Sequence, residues 1–257
     1  MENSDRGSIQ AGRPEDTPLL SIIIPAYNEA HRLPETLKRI LSYLNAQHYA
    51  SEVLVVENGS GDATLEIARD FARAHPGLRV LQNKERGKGL AVRRGMLEAR
   101  GEFRFMCDAD LSMPIEQLPR FLPPDLGDYD IAIASREAPG AVRFGEPRYR
   151  HLVGRIFNWM IRRLALPDLQ DTQCGFKCFR SAAAVDLFQR QTLPGWSFDV
   201  EILYIARHHG YRIVEIPIPW YFNEDSKVRV VSDSLQMGTD LLAIRRNSAN
   251  GLYDKAV

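Results

Sequence analysis

Phe103-Arg104-Phe105-Met106-Cys107-Asp108-Ala109-Asp110-Leu111-Ser112 runs a short apolar stretch into two carboxylates separated by one small residue. In an extended chain side chains alternate faces, so Asp108 and Asp110 project the same way from the end of a buried strand. Two hard oxygen ligands then stand side by side, a pair suited to Mg2+ or Mn2+, which favour carboxylate, water and substrate phosphate oxygens. The substrate implied is a diphosphate. Asp-x-Asp is also ordinary turn chemistry after a strand, so its meaning depends on what the rest of the chain brings to it.

Upstream, Leu20 to Ile24, Glu52 to Val56 and Leu78 to Leu81 are short, nearly continuous apolar or β-branched runs, and Tyr129 to Ala134 is another downstream. Such runs predict strands buried on both faces. Between them, Pro34 to Leu44, Ala63 to Ala74, Lys88 to Ala99 and Ile115 to Phe121 read as helices, with Asp62 placed as an N-cap and Pro34 in a first turn. Strand and helix alternate, which predicts a mainly parallel sheet flanked by helices. In such sheets ligands bind beyond the carboxyl ends of the strands. Tyr27-Asn28-Glu29, Glu57 to Asp62, Asn83 to Gly89 and Asp108/Asp110 all fall on that one edge.

The chain has 257 residues, 44% hydrophobic and 26% charged, enough for one large domain with a sizeable core. The expected division is a polar tail over residues 1–18, a domain over 19–231, and a C-terminal amphipathic helix and tail over 232–257. Lys plus Arg balances Asp plus Glu at 33 each, so no global field points to nucleic acid. Cys107, Cys174 and Cys178 are too few and too odd in number for a disulfide framework. Cys174 and Cys178 suggest half of a zinc site, but no second pair completes it. The first residues lack the apolar core of a signal peptide, and no run approaches the roughly 20 apolar residues of a spanning helix.

After Ala134 the rhythm breaks. Ser135 to Arg150 carries Pro139, Gly140, Gly145 and Pro147 with Arg136, Arg143, Arg148 and Arg150, a basic loop. His151 to Leu164 reads as a helix with a very wide apolar face and arginines between. Core burial is the ordinary fate of such a helix, and an interfacial position is the alternative. Farther on, Ser197 to His209 predicts a helix, Tyr211 to Ile216 a strand and Ser232 to Arg246 an amphipathic helix.

Ile22-Ile23-Ile24-Pro25-Ala26-Tyr27-Asn28-Glu29, Val56-Glu57-Asn58-Gly59-Ser60-Gly61-Asp62 and Asp108-Ala109-Asp110 together resemble the family 2 inverting glycosyltransferases of GT-A fold. The resemblance runs from Leu19 to about Asn247. Gly87-Lys88-Gly89, Asp171-Thr172-Gln173-Cys174-Gly175-Phe176-Lys177, Trp196-Ser197-Phe198-Asp199-Val200-Glu201 and Ser226-Lys227-Val228 resemble the dolichyl-phosphate glucosyltransferase branch. The fold implied is a Rossmann-like GT-A sheet with a C-terminal helical appendage.

The resemblance implies that Pro25, Tyr27 and Glu29 line a nucleotide pocket and that Glu57 reaches the uridine. Relatives usually carry two Asp residues where this chain has Glu57-Asn58. Lys88 suits the diphosphate, Asp108 and Asp110 the metal, and Lys227 with Arg229 a lid. Ser112 stands where mannosyl relatives place a Gln in the metal shell. Asp199 reads a donor-sugar hydroxyl or positions another group. An anionic lipid phosphate as acceptor needs cations, and Arg136 and Arg148 are the foremost candidates, with Arg143 and Arg150 behind them. An alcohol acceptor instead needs a general base, for which Asp199 and Glu201 are candidates.

The activity expected is metal-dependent inverting transfer of glucose from UDP-glucose to a dolichyl or polyprenyl phosphate, with the enzyme cytoplasmic and peripheral on the inner membrane face. Mannosyl or N-acetylhexosaminyl transfer, a soluble alcohol acceptor, and a non-catalytic nucleotide-sugar-binding scaffold remain the alternatives.

Overall fold

The computed structural model describes residues 17–223 and 230–255. Its elements follow in the order β1 (Leu20–Ala26), α1 (Leu33–Asn45), β2 (Ser51–Glu57), α2 (Thr64–Ala74), β3 (Leu78–Gln82), α3 (Lys88–Glu98) and β4 (Phe103–Cys107). A 3-10 helix, Ile115–Phe121, leads to β5 (Ile131–Ser135), β6 (Val142–Phe144), α4 (Arg148–Leu164), β7 (Phe176–Arg180) and α5 (Ser181–Arg190). The chain continues through α6 (Phe198–His208), β8 (Ile213–Pro217), β9 (Pro219–Tyr221) and α7 (Val230–Ala249). The expected tail lies almost wholly outside the described residues.

Seven strands form one sheet in the order β3-β2-β1-β4-β7-β5-β8, and β6 and β9 form a second, two-stranded one. The large sheet is parallel except at β7, which runs antiparallel to both β4 and β5. The order reverses beside β1, where β2 and β3 lie to one side and β4 to the other. At that switch point the loops after β1 and β4 diverge and leave a crevice.

Strand alternation divides the core in two. Ile23, Leu54, Val56 and Met106 face α3, α5, α6 and α7, while Ile22, Ile24, Val55 and Phe105 face α1 and the 3-10 helix. The C-terminal helix belongs to this packing. Met237, Leu241, Ile244 and the following Tyr253 are buried in the first cluster.

Several expectations are corrected. Ile115–Phe121 is 3-10 rather than α-helical, with Pro119 inside it lacking the amide hydrogen an α-helix needs. The 135–150 segment is not a plain loop, since it contains β6 and the start of α4. Strands β7 and β9 and helix α5 were not anticipated. Core burial of the 151–164 helix is overturned: only Ile161 of α4 is buried, whereas Tyr149, Leu152, Ile156 and Trp159 are all more than half exposed.

Candidate active site

The turn after β4 holds the two carboxylates and is braced from several directions. The Ser112 amide donates to Asp110 Oδ1 at 3.0 Å, the Leu111 amide to the Asp108 carbonyl at 3.3 Å, and the Thr36 hydroxyl of α1 to the Ala109 carbonyl at 2.6 Å. Leu111 has φ of +47°, a left-handed conformation unusual for a branched residue. Such strain persists only where surrounding structure holds it, and it clusters at binding sites. Ser112, which stands at the Gln position of mannosyl relatives, is buried and props Asp110 through its backbone.

Lys88, the first residue of α3, puts its Nζ 2.8 Å from Asp108 Oδ1 and 4.9 Å from the Trp196 ring centre. Burial lowers the affinity of this ammonium for its proton, but the carboxylates of Asp108, Asp199 and Asp110 outweigh it and hold the lysine charged. Asp110 is pushed up, first by burial and then by the like charge of Asp108. Gly175 closes the other side of Asp108. A Cβ atom there would overlap Asp108 Oδ2.

Below this pair lies a second, fully enclosed one. Lys177, the second residue of β7, donates to Asp199 Oδ1 at 2.7 Å and to the Cys174 carbonyl at 2.6 Å. The side chains are only 2% and 6% exposed. Burial raises the Asp199 pKa, while Lys177 and then Lys88 act to lower it. The sequence signal for Lys177 is a lysine set between the apolar residues Phe176, Cys178 and Phe179.

The loops after β1 and β2 are laced together. Asn28, with φ of +50°, donates its amide to Ser60 Oγ at 3.0 Å and accepts the Gly61 amide on Oδ1 at 2.8 Å. The Glu29 amide donates to Thr64 Oγ1 at 2.7 Å, and Glu29 pairs with Arg32. Glu57 is buried and accepts the Ser60 amide. Asn58, where relatives carry an acid, accepts the Gly87 amide at 3.1 Å and so ties this loop to the one bearing Lys88. Tyr27, behind Pro25, lies under the Arg86 guanidinium at 4.2 Å. Tyr27, Glu29, Glu57, Lys88, Asp108, Asp110 and Asp199 thus share the carboxyl edge of the sheet.

The remaining candidates stand differently. Both oxygens of Glu201 are occupied, by the amides of Thr192 (3.0 and 3.1 Å) and Leu193 (2.8 Å), the Thr192 hydroxyl and the Tyr253 hydroxyl (2.9 Å). Its carboxylate therefore clamps the segment before Trp196, whose Pro194 carbonyl receives the Leu90 amide of α3 at 3.3 Å. Arg136 forms a fork with Asp171, Nε to Oδ2 at 2.7 Å and Nη2 to Oδ1 at 2.9 Å, beside the Trp220 ring. Arg143 is bracketed by Glu137 and Glu146. Arg148 is exposed on the first turn of α4, and Arg150 stacks on Phe222. Lys227 and Arg229 lie outside the described residues.

Cys107, Cys174 and Cys178 are buried free thiols, and burial pushes both Cys174 and Cys178 up to about 12. Among the described residues no cluster of three His, Cys, Asp or Glu forms a closed metal cage. Two carboxylates at an open edge are nevertheless what Mg2+ or Mn2+ requires when substrate oxygens and water complete the shell.

Comparison with known proteins agrees with this architecture. The glycosyl transferase family 2 pattern matches residues 21–188. The chain is 37% identical to the dolichyl-phosphate beta-glucosyltransferase of Drosophila melanogaster over 90% of its own length and 76% of the relative's. It is 35% identical to the human dolichyl-phosphate beta-glucosyltransferase, covering 92% of this chain and 78% of that one. Among solved structures, the glucosyl-3-phosphoglycerate synthase of Mycobacterium tuberculosis in complex with UDP superposes with a TM-score of 0.66 at 19% identity, over 88% of this chain and 80% of that one. The same synthase with Mn2+, UDP-glucose and phosphoglyceric acid gives 0.64 at 18% identity, over 88% and 79%. The fold is that of a GT-A glycosyltransferase. The chain belongs to glycosyl transferase family 2, on the branch of the dolichyl-phosphate beta-glucosyltransferases.

Proposed function

We propose that this chain transfers glucose from UDP-glucose to a dolichyl or polyprenyl phosphate with inversion at the anomeric carbon. The observation that carries the reading is the convergence of Asp108, Asp110, Lys88 and Asp199 at the switch point of the sheet. Their combination suits a nucleoside diphosphate sugar, with carboxylates for a diphosphate-bound cation, an ammonium for phosphate oxygens and a buried carboxylate for sugar hydroxyls. The names of the relatives supply the sugar and the acceptor class, and the UDP-glucose bound to a structural neighbour supports the donor nucleotide.

Asp108 and Asp110 would hold Mg2+ or Mn2+, which supplies Lewis-acid stabilisation of the charge that develops on the departing diphosphate. Lys88 donates to the diphosphate as the sugar leaves. Pro25, Tyr27, Glu29 and Glu57 border the nucleoside, and Asp199 orients the sugar. An oxygen of the lipid phosphate forms the new bond to the anomeric carbon as the bond to UDP breaks, and the electron pair leaves on UDP. No proton has to be removed from such an acceptor. This matches a site in which Glu201 is saturated by hydrogen bonds and Asp199 is paired with Lys177. Arg148 is the exposed cation of the basic segment, and Arg136 orders it through Asp171. Lys227 is proposed as a lid residue on its motif alone.

The lipid acceptor calls for work at a membrane surface, on the cytoplasmic side where nucleotide sugars are met. No helix among the described residues is long and apolar enough to cross a bilayer, so the contact proposed is peripheral.

The test is transfer of radiolabel from UDP-glucose, GDP-mannose and UDP-N-acetylglucosamine to short-chain polyprenyl phosphate with Mg2+ or Mn2+, followed by organic extraction. Extractable label from UDP-glucose alone is expected. Label from another donor would replace the sugar, label only on soluble acceptors would replace the lipid, and no transfer or donor hydrolysis would leave a binding scaffold.

A further inference from the structure

Ten large apolar side chains are substantially exposed among the described residues, and seven of them fall between Val142 and Leu164. On α4 the pattern is inverted relative to the ordinary amphipathic helix. At about 100° per residue, Tyr149, Leu152, Ile156 and Trp159 project within an arc of about 80° on the side away from Ile161, the one buried residue of the helix. Exposures along this stripe run from 53% at Ile156 to 64% at Tyr149. The helix is held to the body by its other side, through Ile161, Phe157 and a hydrogen bond from Asn158 to the Gln170 carbonyl. Beside its first turn the β6–β9 ribbon adds Phe144 and Tyr221, stacked at 4.7 Å and each more than two-fifths exposed.

Charge selects the occupant. The seventeen residues of α4 include Arg148, Arg150, Arg155, Arg162 and Arg163 and neither Asp nor Glu. Arg155 flanks the outward stripe, Arg163 continues it one turn beyond Trp159, and both are exposed. A second copy docked symmetrically would bring arginines against arginines, whereas an anionic lipid surface accepts both the apolar stripe and its basic border.

We infer that the outer face of α4, with Phe144 and Tyr221 beside it, is the surface on which this protein lies on an anionic bilayer. The apolar stripe enters between lipid headgroups and the arginines meet their phosphates. The helix begins at Arg148, within the basic segment, so this orientation presents a membrane-held phosphate to the proposed acceptor cations. The last point rests on the lipid-phosphate reading above; the docking itself does not.

The experiment is co-sedimentation of the full chain with vesicles of phosphatidylcholine alone or mixed equally with phosphatidylglycerol, comparing wild type with Ile156→Glu/Trp159→Glu and Arg155→Glu/Arg163→Glu. Wild type is expected on the mixed vesicles and far less on neutral ones. Each double variant should bind at least about tenfold more weakly, given the contribution of each basic residue near such a surface. Wild-type binding by both variants, or no binding by wild type, overturns the inference. A dimer broken by Ile156→Glu in a wild type that ignores vesicles would make the face a self-association surface instead. Circular dichroism checks that the variants fold. If the variants bind weakly yet no form transfers glucose to any polyprenyl phosphate, the docking face stands and the acceptor reading fails. If both hold, the variants should retain transfer to a short, water-soluble polyprenyl phosphate and lose it with long-chain acceptor in vesicles.

Discussion

Oδ2 of Asp108 rests directly on the Cα of Gly175, in the space where any other residue would place its Cβ, while Oδ1 of the same carboxylate holds Lys88. The residue that leads into β7 therefore shapes the site through the absence of a side chain. Gly175 is not in a left-handed conformation, so the requirement is one of room alone.

Gly175→Ala is accordingly expected to displace Asp108 without unfolding the protein. Overpacking of this kind costs about 1–3 kcal/mol. Calorimetric titration with UDP in the presence of Mn2+ should show binding weakened by at least about tenfold, which corresponds to about 1.4 kcal/mol. Metal-dependent UDP binding equal to wild type would separate Asp108 from the metal.

The Lys177–Asp199 pair makes a different prediction. Removing one member of a buried ion pair strands the other charge and typically costs about 3–5 kcal/mol, whereas replacing both with apolar groups is often neutral. Lys177→Met should therefore be much less stable in urea than wild type, and Lys177→Met/Asp199→Leu should recover most of the loss. If Asp199 also reads the donor sugar, the double variant regains stability but not preference for UDP-glucose over UDP. Recovery of both would make the pair purely architectural, and equal stability of the single variant would contradict its burial.

The strands that build the binding edge were legible because each is locally self-consistent: Ile22 to Ile24, Val53 to Val56 and Phe103 to Cys107 are apolar enough to be buried on both faces. Strand β7 was not, since two of its five residues, Lys177 and Arg180, are basic, and Asp199, which neutralises Lys177, lies 22 residues later. Arg136 read as a phosphate ligand for the same reason: Asp171, 35 residues along the chain, had no visible claim on it. The apolar periodicity of α4 was plain, but periodicity gives a stripe and not the direction it faces. Asn58 shows the reverse, as a departure from the family pattern that the fold uses to hold Gly87.

Glu201 was a candidate base, and its geometry predicts otherwise. Glu201→Gln should leave the Michaelis constant for UDP-glucose and the turnover within about tenfold of wild type, because a clamp acts through position and a general base typically contributes about a hundredfold or more. The larger effect should be on thermal stability, shared by Tyr253→Phe, which removes a hydroxyl bonded to the same carboxylate. A hundredfold fall in turnover at unchanged Michaelis constant and melting temperature would restore the base and with it an alcohol acceptor.

The Arg136–Asp171 fork sets a pH dependence. Burial pushes the Asp171 carboxyl up, but the charge and hydrogen bonds of Arg136 outweigh it and bring the group from an ordinary 3.8 down to about 2. Asp171 also accepts the Gln173 amide at 3.2 Å, and its own amide is fixed by Glu215 at 2.9 Å, so the anion is held on every side. A carboxyl depressed on folding adds stability that is fully present above its unfolded value and disappears as pH falls through the folded one. Here that window runs from about 4 down to about 2, and the depression is equivalent to about 2 kcal/mol. Asp171→Asn should therefore narrow its stability deficit against wild type as the pH of urea unfolding falls through that window, and hold a constant deficit between pH of about 5 and 8. A deficit that stayed the same at low pH would mean that Asp171 is not held as an anion by Arg136, and Arg136 would then be free to meet the acceptor phosphate.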